Sequence, residues 1–346
     1  MPLRYFTSKY LYLCLICALL STACSQQNKP TTDETTANVV EKADEILSGL
    51  NEKIKTDPNN AALYNQRALH YMYINSDDQA LSDIERSIKL NPENDNWYVT
   101  KANVLFKMNK VKECKENLEK AISLNAENVQ AHNQLAEIHI YLEDYDNAMK
   151  HADLSVKADV YNAHAYYLKG LIFNYMKDTV KAVSSLQTCI EQDPEYYDAY
   201  AMLGILFAVK NHPLAEQYYD NALKIRPQSI EALYNKAMYY QELDRGEEAI
   251  ELYNRILEID ASYYIAHYNT GYVLLTQYED FKEAITHFTK AIQLEPKYVE
   301  AYYNRGLCYE QLKDLAAAEA EYRKALSLMP TFTLAAKALG RVRGDS

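Results

Sequence analysis

One spacing governs this chain: from about Ala61 to Thr333, small residues return every thirty-four positions, give or take one. The first column reads Ala68, Ala102, Ala136, Gly170, Gly204, Ala237, Gly271 and Gly306. About twelve residues later comes a second, with Ala80, Cys114, Ala148, Ala182, Ala215, Ala249, Ala284 and Ala318. Seven further on, a third holds Ser87, Ala121, Ser155, Cys189, Ala222, Ala291 and Ala325, and only Ile256 in it is bulky. Helix axes approach to about 8 Å only where the residues at the crossing are small. Larger knobs stand between the columns: Tyr64, Tyr98, Tyr166 and Tyr302 in the first half of each unit, and Ile84, Leu118, Leu186, Tyr253 and Phe288 in the second. Pro92, Pro194, Pro227, Pro296 and Pro330 close units, because proline cannot donate to a continuing helix. A repeat of this length is a helix-turn-helix unit that cannot bury its own apolar face and must stack on copies of itself.

Eight units fit, at 61–94, 95–128, 129–162, 163–196, 197–229, 230–263, 264–298 and 299–332. Their columns agree in phase, as in Ala232-Leu-Tyr-Asn-Lys-Ala237 beside Ala301-Tyr-Tyr-Asn-Arg-Gly306. The pattern resembles the tetratricopeptide repeat over about four-fifths of the chain. The resemblance implies an all-α fold, a right-handed superhelical solenoid whose first helices line a concave groove. Three copies depart from the pattern. The third has Ala152 in a knob place and Val160 where proline is usual, so its second helix is expected to pack loosely. The fifth is one residue short at Asn211-His-Pro213 and the seventh one residue long, and both changes are expected in turns, which tolerate them. The solenoid, 59–332, is flanked by an expected capping helix at 39–58 and by a final helix and tail at 333–346.

The N-terminus reads as an address. Arg4 and Lys9 precede the apolar run Tyr10–Leu20, which is too short to span a bilayer needing about twenty residues and suits a signal-peptide core, 1–23. Ser21-Thr-Ala-Cys24 resembles the lipobox of bacterial lipoproteins, although leucine stands at position 20 and not 21. That resemblance implies cleavage before Cys24, a lipid on its thiol, and membrane contact through the acyl chains. Ser25 is not the aspartate that retains enterobacterial lipoproteins at the inner membrane, so the outer membrane is the expected destination. Residues 24–38 lack apolar periodicity and read as a flexible tether. Removing 1–23 takes two of the 36 Lys and Arg and none of the 48 Asp and Glu, leaving 34 − 48 = −14. An acidic body excludes nucleic acid as a partner, since that requires clustered cations.

No catalytic or metal-binding constellation emerges, and no cofactor is expected. Cys14 and Cys17 belong to the signal segment, while Cys114, Cys189 and Cys308 fall among packing positions. His132 and His139 lie seven apart on one helix and His267 and His287 within one unit, but none forms a metalloprotease-type pair. Acidic pairs such as Glu247-Glu248 stand at helix starts, where they complement the dipole. Phosphate loops, dinucleotide fingerprints and nucleophile elbows are missing.

What the packing columns leave free is the stripe that the family turns toward its groove. There stand Asn65, Leu69, Met72, Tyr73, Asn133, Glu137, Ile140, Tyr141, Tyr167, Leu171, Asn174, Tyr175, Tyr234, Met238, Tyr268, Tyr272, Tyr303 and Leu307. The candidate contact residues among them are Asn65, Tyr73, Asn133, Glu137, Tyr141, Tyr167, Asn174, Tyr175, Tyr234, Tyr268, Tyr272 and Tyr303. The stripe is aromatic and acidic and lacks the paired cations with which some relatives clamp a terminal carboxylate. It points to a non-enzymatic adaptor in the cell envelope that takes a neutral or basic protein segment. Stacking of tyrosine on sugars offers a second reading, a binder of glycans or cell-wall fragments.

Overall fold

A computed structural model of the chain describes residues 33–344. The signal segment, Cys24 and the start of the expected tether lie outside the described residues. Among those described, eighteen α-helices and no strand are found, and no helix is long and apolar enough to cross a membrane. Two compact units divide at Asp178/Thr179. The first holds α1 (Asp33–Thr56), α2 (Ala61–Tyr73), α3 (Asp77–Leu90), α4 (Asp95–Lys107), α5 (Val111–Leu124), α6 (Val129–Tyr141), α7 (Tyr145–Ala158) and α8 (Ala163–Tyr175). The second begins with α9 (Thr179–Gln192), α10 (Tyr197–Ala208), α11 (Leu214–Ile225), α12 (Ile230–Glu242) and α13 (Gly246–Ile259). It continues with α14 (Tyr264–Val273), α15 (Phe281–Leu294), α16 (Val299–Gln311), α17 (Leu315–Leu328) and α18 (Thr333–Arg343). Within each unit, consecutive helices pack as antiparallel neighbours, and first helices of successive repeats also touch, as α2 does α4 and α10 does α12.

Local chemistry sets the ends. Asn60, Asn94, Asn128, Asn162 and Ser229 cap first helices by accepting a backbone N–H with the side chain, and Asp144, Asp280 and Asp314 do the same for second helices. Within each repeat, the turn between its two helices passes through one left-handed residue: Asn75, Asn109, Glu143, Lys177, Asn211, Asp244, Glu279 and Lys313, with φ between 50° and 64°. In most of them the N–H after that residue reaches back five positions, as from Ser76 to the Tyr71 carbonyl at 2.8 Å, which satisfies an end carbonyl of the first helix. None of the eight is glycine, so each carries the steric cost of that conformation.

The small columns are buried as crossing points, and they trade volume with the knobs opposite. Gly204, Gly271 and Gly306 face Tyr219, Phe288 and Tyr322, whose rings occupy the space a Cβ would need. In the first two repeats, Ala68 and Ala102 stand in that column and the buried knobs are the smaller Ile84 and Leu118. First-helix Tyr64, Tyr98, Tyr166 and Tyr302 each donate a hydroxyl hydrogen bond, at 3.0–3.2 Å, to the carbonyl six residues earlier, which pins the preceding loop.

Three expectations need correction. The N-terminal helix starts at Asp33 and not at 39, so residues assigned to the tether are helical. Lack of apolar periodicity rules out a buried face, but extending an existing helix needs no new nucleus. The extra residue of the seventh repeat is not in the turn: it widens the end of the first helix into a π-turn, Leu274–Tyr278. There Gln277 reaches the Gln241 carbonyl at 3.1 Å, and Gly246 lacks the Cβ that would meet Gln277 and Tyr278. The fifth repeat does lose its residue after the left-handed position, at Pro213. In the third repeat Ala152 is fully buried, and three histidines gather beside it in place of an apolar knob.

Candidate functional site

Cations on the first helices are turned away from the candidate stripe. Arg67, Lys101, Lys169, Lys236 and Arg305 all stand one residue before the first small column, and each meets a carboxylate sixteen residues away on a second helix. Arg67 grips Asp83 with Nε at 2.6 Å and Nη2 at 2.7 Å, and this bond raises the guanidinium pKa further. Arg305 holds both oxygens of Glu321 at 2.8 and 3.0 Å. These pairs tie second helices to first helices within each unit, so the cations serve packing.

The predicted contact residues fall into three groups. Tyr167, Tyr234, Tyr268, Tyr303 and Asn133 are buried and leave little surface for a partner. The aromatic residue that closes the same repeat, just before the next first helix, covers three of the rings edge-on: Tyr263 meets Tyr234 at 6.4 Å, Tyr298 meets Tyr268 at 4.7 Å, and Phe332 meets Tyr303 at 5.4 Å. Two of their hydroxyls are engaged as well. Asn304 donates to the Tyr268 hydroxyl at 2.9 Å and Asn269 to that of Tyr234 at 3.5 Å. Burial pushes the Tyr268 phenol well above its ordinary pKa. One repeat earlier the matching asparagine is Asn235, whose facing position is Ala201, and its buried amide nitrogen has no hydrogen-bond partner.

Asn65, Glu137, Asn174, Tyr175 and Tyr272 form the second group and are half-buried. Glu137 is held by His164 at 2.7 Å. Tyr175 stacks on Tyr145 at 5.5 Å. Only Tyr73 and Tyr141 are exposed, at 49% and 65%. Leu69, four residues before Tyr73, is also exposed, as is Phe106 on the first helix between them. Leu69, Tyr73, Phe106 and Tyr141 therefore present a row of large apolar side chains on α2, α4 and α6 of the first unit. Sequence reasoning had not singled out Phe106, although its register, four after the small Ala102, is that of Met72 and Ile140 in the neighbouring repeats. At the row's N-terminal end, Ile46, Gly49, Leu50, Lys53, Gln66, Leu69 and His70 enclose an open cavity of about 580 Å³.

Sequence models of the tetratricopeptide repeat match residues 163–196, 206–267, 274–313 and 299–332. The chain carries tetratricopeptide repeats. Upstream, residues 74–153 match a model described as anaphase-promoting complex, cyclosome, subunit 3. No curated protein matches the sequence. Among solved structures, the C-terminal part of a tetratricopeptide-repeat protein from Cytophaga hutchinsonii is similar, with 23% identity and a TM-score of 0.59 over 69% of this chain and 98% of that one. A tetratricopeptide-repeat protein from Parabacteroides merdae is similar at 16% identity and TM-score 0.50, covering 72% and 99%. A chain of the APC/C hetero-tetramer Cut9-Hcn1 is similar at 14% and 0.51, covering 88% and 59%. Identities this low speak for the fold alone.

The polar residues left over in these tetratricopeptide repeats are mostly interior. Cys114, Cys189 and Cys308 are buried and joined in no disulfide, and burial pushes Cys308 up to about 12, so it holds its proton at neutral pH. Among the described residues, no group of three or more His, Cys, Asp or Glu is arranged to hold a metal ion. His267 and His287 lie 5.7 Å apart between the helices of the seventh repeat, and burial lowers both pKa values. Glu231 is raised above the ordinary carboxylate range by burial and then by Asp198 nearby.

Proposed function

We propose that the chain is a non-enzymatic scaffold that holds a segment of a partner protein against its first-helix faces. Leu69, Tyr73, Phe106 and Tyr141 carry this reading, because four large apolar side chains are left in solvent on three successive first helices. Tyrosine supplies contact area and a polar tip while fixing only two torsions, which suits protein recognition. One matched model is named for a subunit of a multiprotein complex, which favours a protein as the ligand. A neutral or basic segment is the best fit. First-helix cations beside the row are bound in ion pairs and do not face an incoming segment with free positive charge.

Cys24 is proposed as the lipid attachment point, with the cell envelope as the location and the outer membrane as the destination. The lipobox-like Ser21-Thr-Ala-Cys24 supports this, and metabolic labelling with a palmitate analogue tests it. A Cys24→Ala chain that still takes up label would reject the assignment. For the binding face, selection of displayed peptides on the purified protein should enrich sequences with aromatic or aliphatic residues beside Lys or Arg. The triple variant Tyr73→Ser, Phe106→Ser, Tyr141→Ser alters exposed side chains only, so it should fold normally and bind none of the selected peptides. Undiminished binding by that variant would remove the row from consideration, and enrichment of acidic peptides would refute the charge assignment.

A further inference from the structure

In the third repeat a histidine takes the place that tyrosine holds in most of the others. Tyr64, Tyr98, Tyr166 and Tyr302 each bond the carbonyl six residues back, and His132 Nε2 meets the Ala126 carbonyl at 3.0 Å in the same way. A carbonyl only accepts, so Nε2 carries the proton and Nδ1 of the neutral ring is left with a lone pair. That Nδ1 lies 3.1 Å from His151 Nδ1 on α7, which must therefore donate. His139, on α6, stacks on His151 at 5.7 Å and gives its own Nδ1 proton to Asp144 at 3.0 Å. All three rings are thus bonded in their neutral forms, and the bonds cross from α6 to α7 at the level where Ala152 replaces an apolar knob.

We propose that this cluster is a proton-operated latch: with its rings neutral it fastens α7 to α6, and acid releases α7 from the third repeat. The surrounding charges make a proton on His151 harmful. Asp144 touches the ring of His139, and the Asn147 amide and then His139 hold this carboxylate below its ordinary range. His151 has no such carboxylate partner. His132 and His139 face it from α6, Lys150 stands beside it on α7, and Lys115 faces it from α5. On the α8 side, Lys169 is bound to Asp153, at 2.7 Å, so this carboxylate of α7 is already engaged. Burial first, and then these positive or protonatable neighbours, lower His151 from 6.5 to about 4.

The folded repeat therefore binds this proton more weakly than the opened one. Stability from the neutral ring is complete above about pH 6.5 and is lost as pH falls from there toward 4. Such a shift makes opening of α7 roughly twenty-fold more favourable at pH 5 than at pH 7. Tyr141 ends α6, so the latch sits beside the exposed row. The inference itself concerns the repeat and holds whether or not that row binds a partner.

Hydrogen exchange of the full chain, corrected for intrinsic rates and followed by mass spectrometry, tests the proposal. Peptides from 145–158 should lose roughly twenty-fold in protection between pH 7 and pH 5, while those from 214–225, in the histidine-free α11, should not change. His151→Gln keeps an N–H for His132 and cannot titrate, so its α7 should be protected equally at both pH values. Equal protection of α7 in the unmodified chain would overturn the latch, as would the same acid loss in His151→Gln. Should that variant not fold, NMR titration of the His151 ring in the unmodified chain decides: a midpoint well below 6.5 supports the latch, and one near 6.5 refutes it.

Discussion

Replacing Gly204 by alanine asks whether the small column and its knobs are one packing unit. A Cβ at 204 would stand 2.6 Å from Cδ1 and Cε1 of Tyr219 and 3.0 Å from Cζ. The ring is 2% exposed and tilts against Tyr239, so it has no open space to swing into. Overpacking of this kind costs about 3 kcal/mol at the upper end of its range, and the better helix propensity of alanine returns about 1 kcal/mol, a net loss of about 2 kcal/mol. Tyr219→Leu alone should cost about 2 kcal/mol through lost contact and a residual cavity. Combined, the alanine methyl enters the space the ring vacates, which recreates the Ala102 and Leu118 pairing of the second repeat. The double variant should then be more stable than the sum of the singles by about 2 kcal/mol, within the range seen for touching residues. Urea unfolding followed by helicity and by tyrosine fluorescence gives the four stabilities, provided the two signals coincide, since repeat arrays can unfold in parts. Additivity within about 0.5 kcal/mol, or a Gly204→Ala chain more stable than the parent, would refute the reasoning.

Other consequences are as direct. Lys313 is left-handed at φ 64°, so Lys313→Gly should stabilise the chain by about 0.5–1 kcal/mol despite glycine's greater entropy loss; an unchanged urea midpoint would count against backbone strain there. Arg67→Ala strands the buried Asp83 and should cost about 2–3 kcal/mol in the same assay, whereas losing an exposed pair such as Lys112 with Glu116 should cost under about 0.5 kcal/mol. Hydrogen bonds from Arg341, against the opposing effect of burial, hold Glu310 below its unfolded pKa of about 4.5. Its contribution is therefore present above that pH and lost as pH falls through the depressed value, so the acid sensitivity of α18 docking should shrink in Arg341→Met.

Much of the fold could be read from periodicity because each repeat contains its own crossing points. Small residues at fixed offsets report where two helices meet, whatever lies further along the chain. The length of the seventh repeat showed that a residue was extra but could not place it, since a π-turn and a longer loop have the same residue count. Tyr268 shows why the contact stripe was harder to read. Its offset gives the helix face correctly, yet what buries it is Tyr298 at the far end of the same repeat. A tyrosine at the same offset is therefore covered or open according to a residue about thirty positions away, which local pattern does not report. Tyr73 and Tyr141, near the ends of their helices, escape such a cover.

The row on α2, α4 and α6 can be interrogated where the protein works. A photo-crosslinking amino acid placed at Tyr73, Phe106 or Tyr141 in turn, and at the exposed Lys112 on the second helix α5 as the comparison, reports which surface a partner touches in native cells. The account predicts discrete protein adducts from the three first-helix positions and none from 112. Adducts from 112 alone, or from all four positions alike, would contradict it.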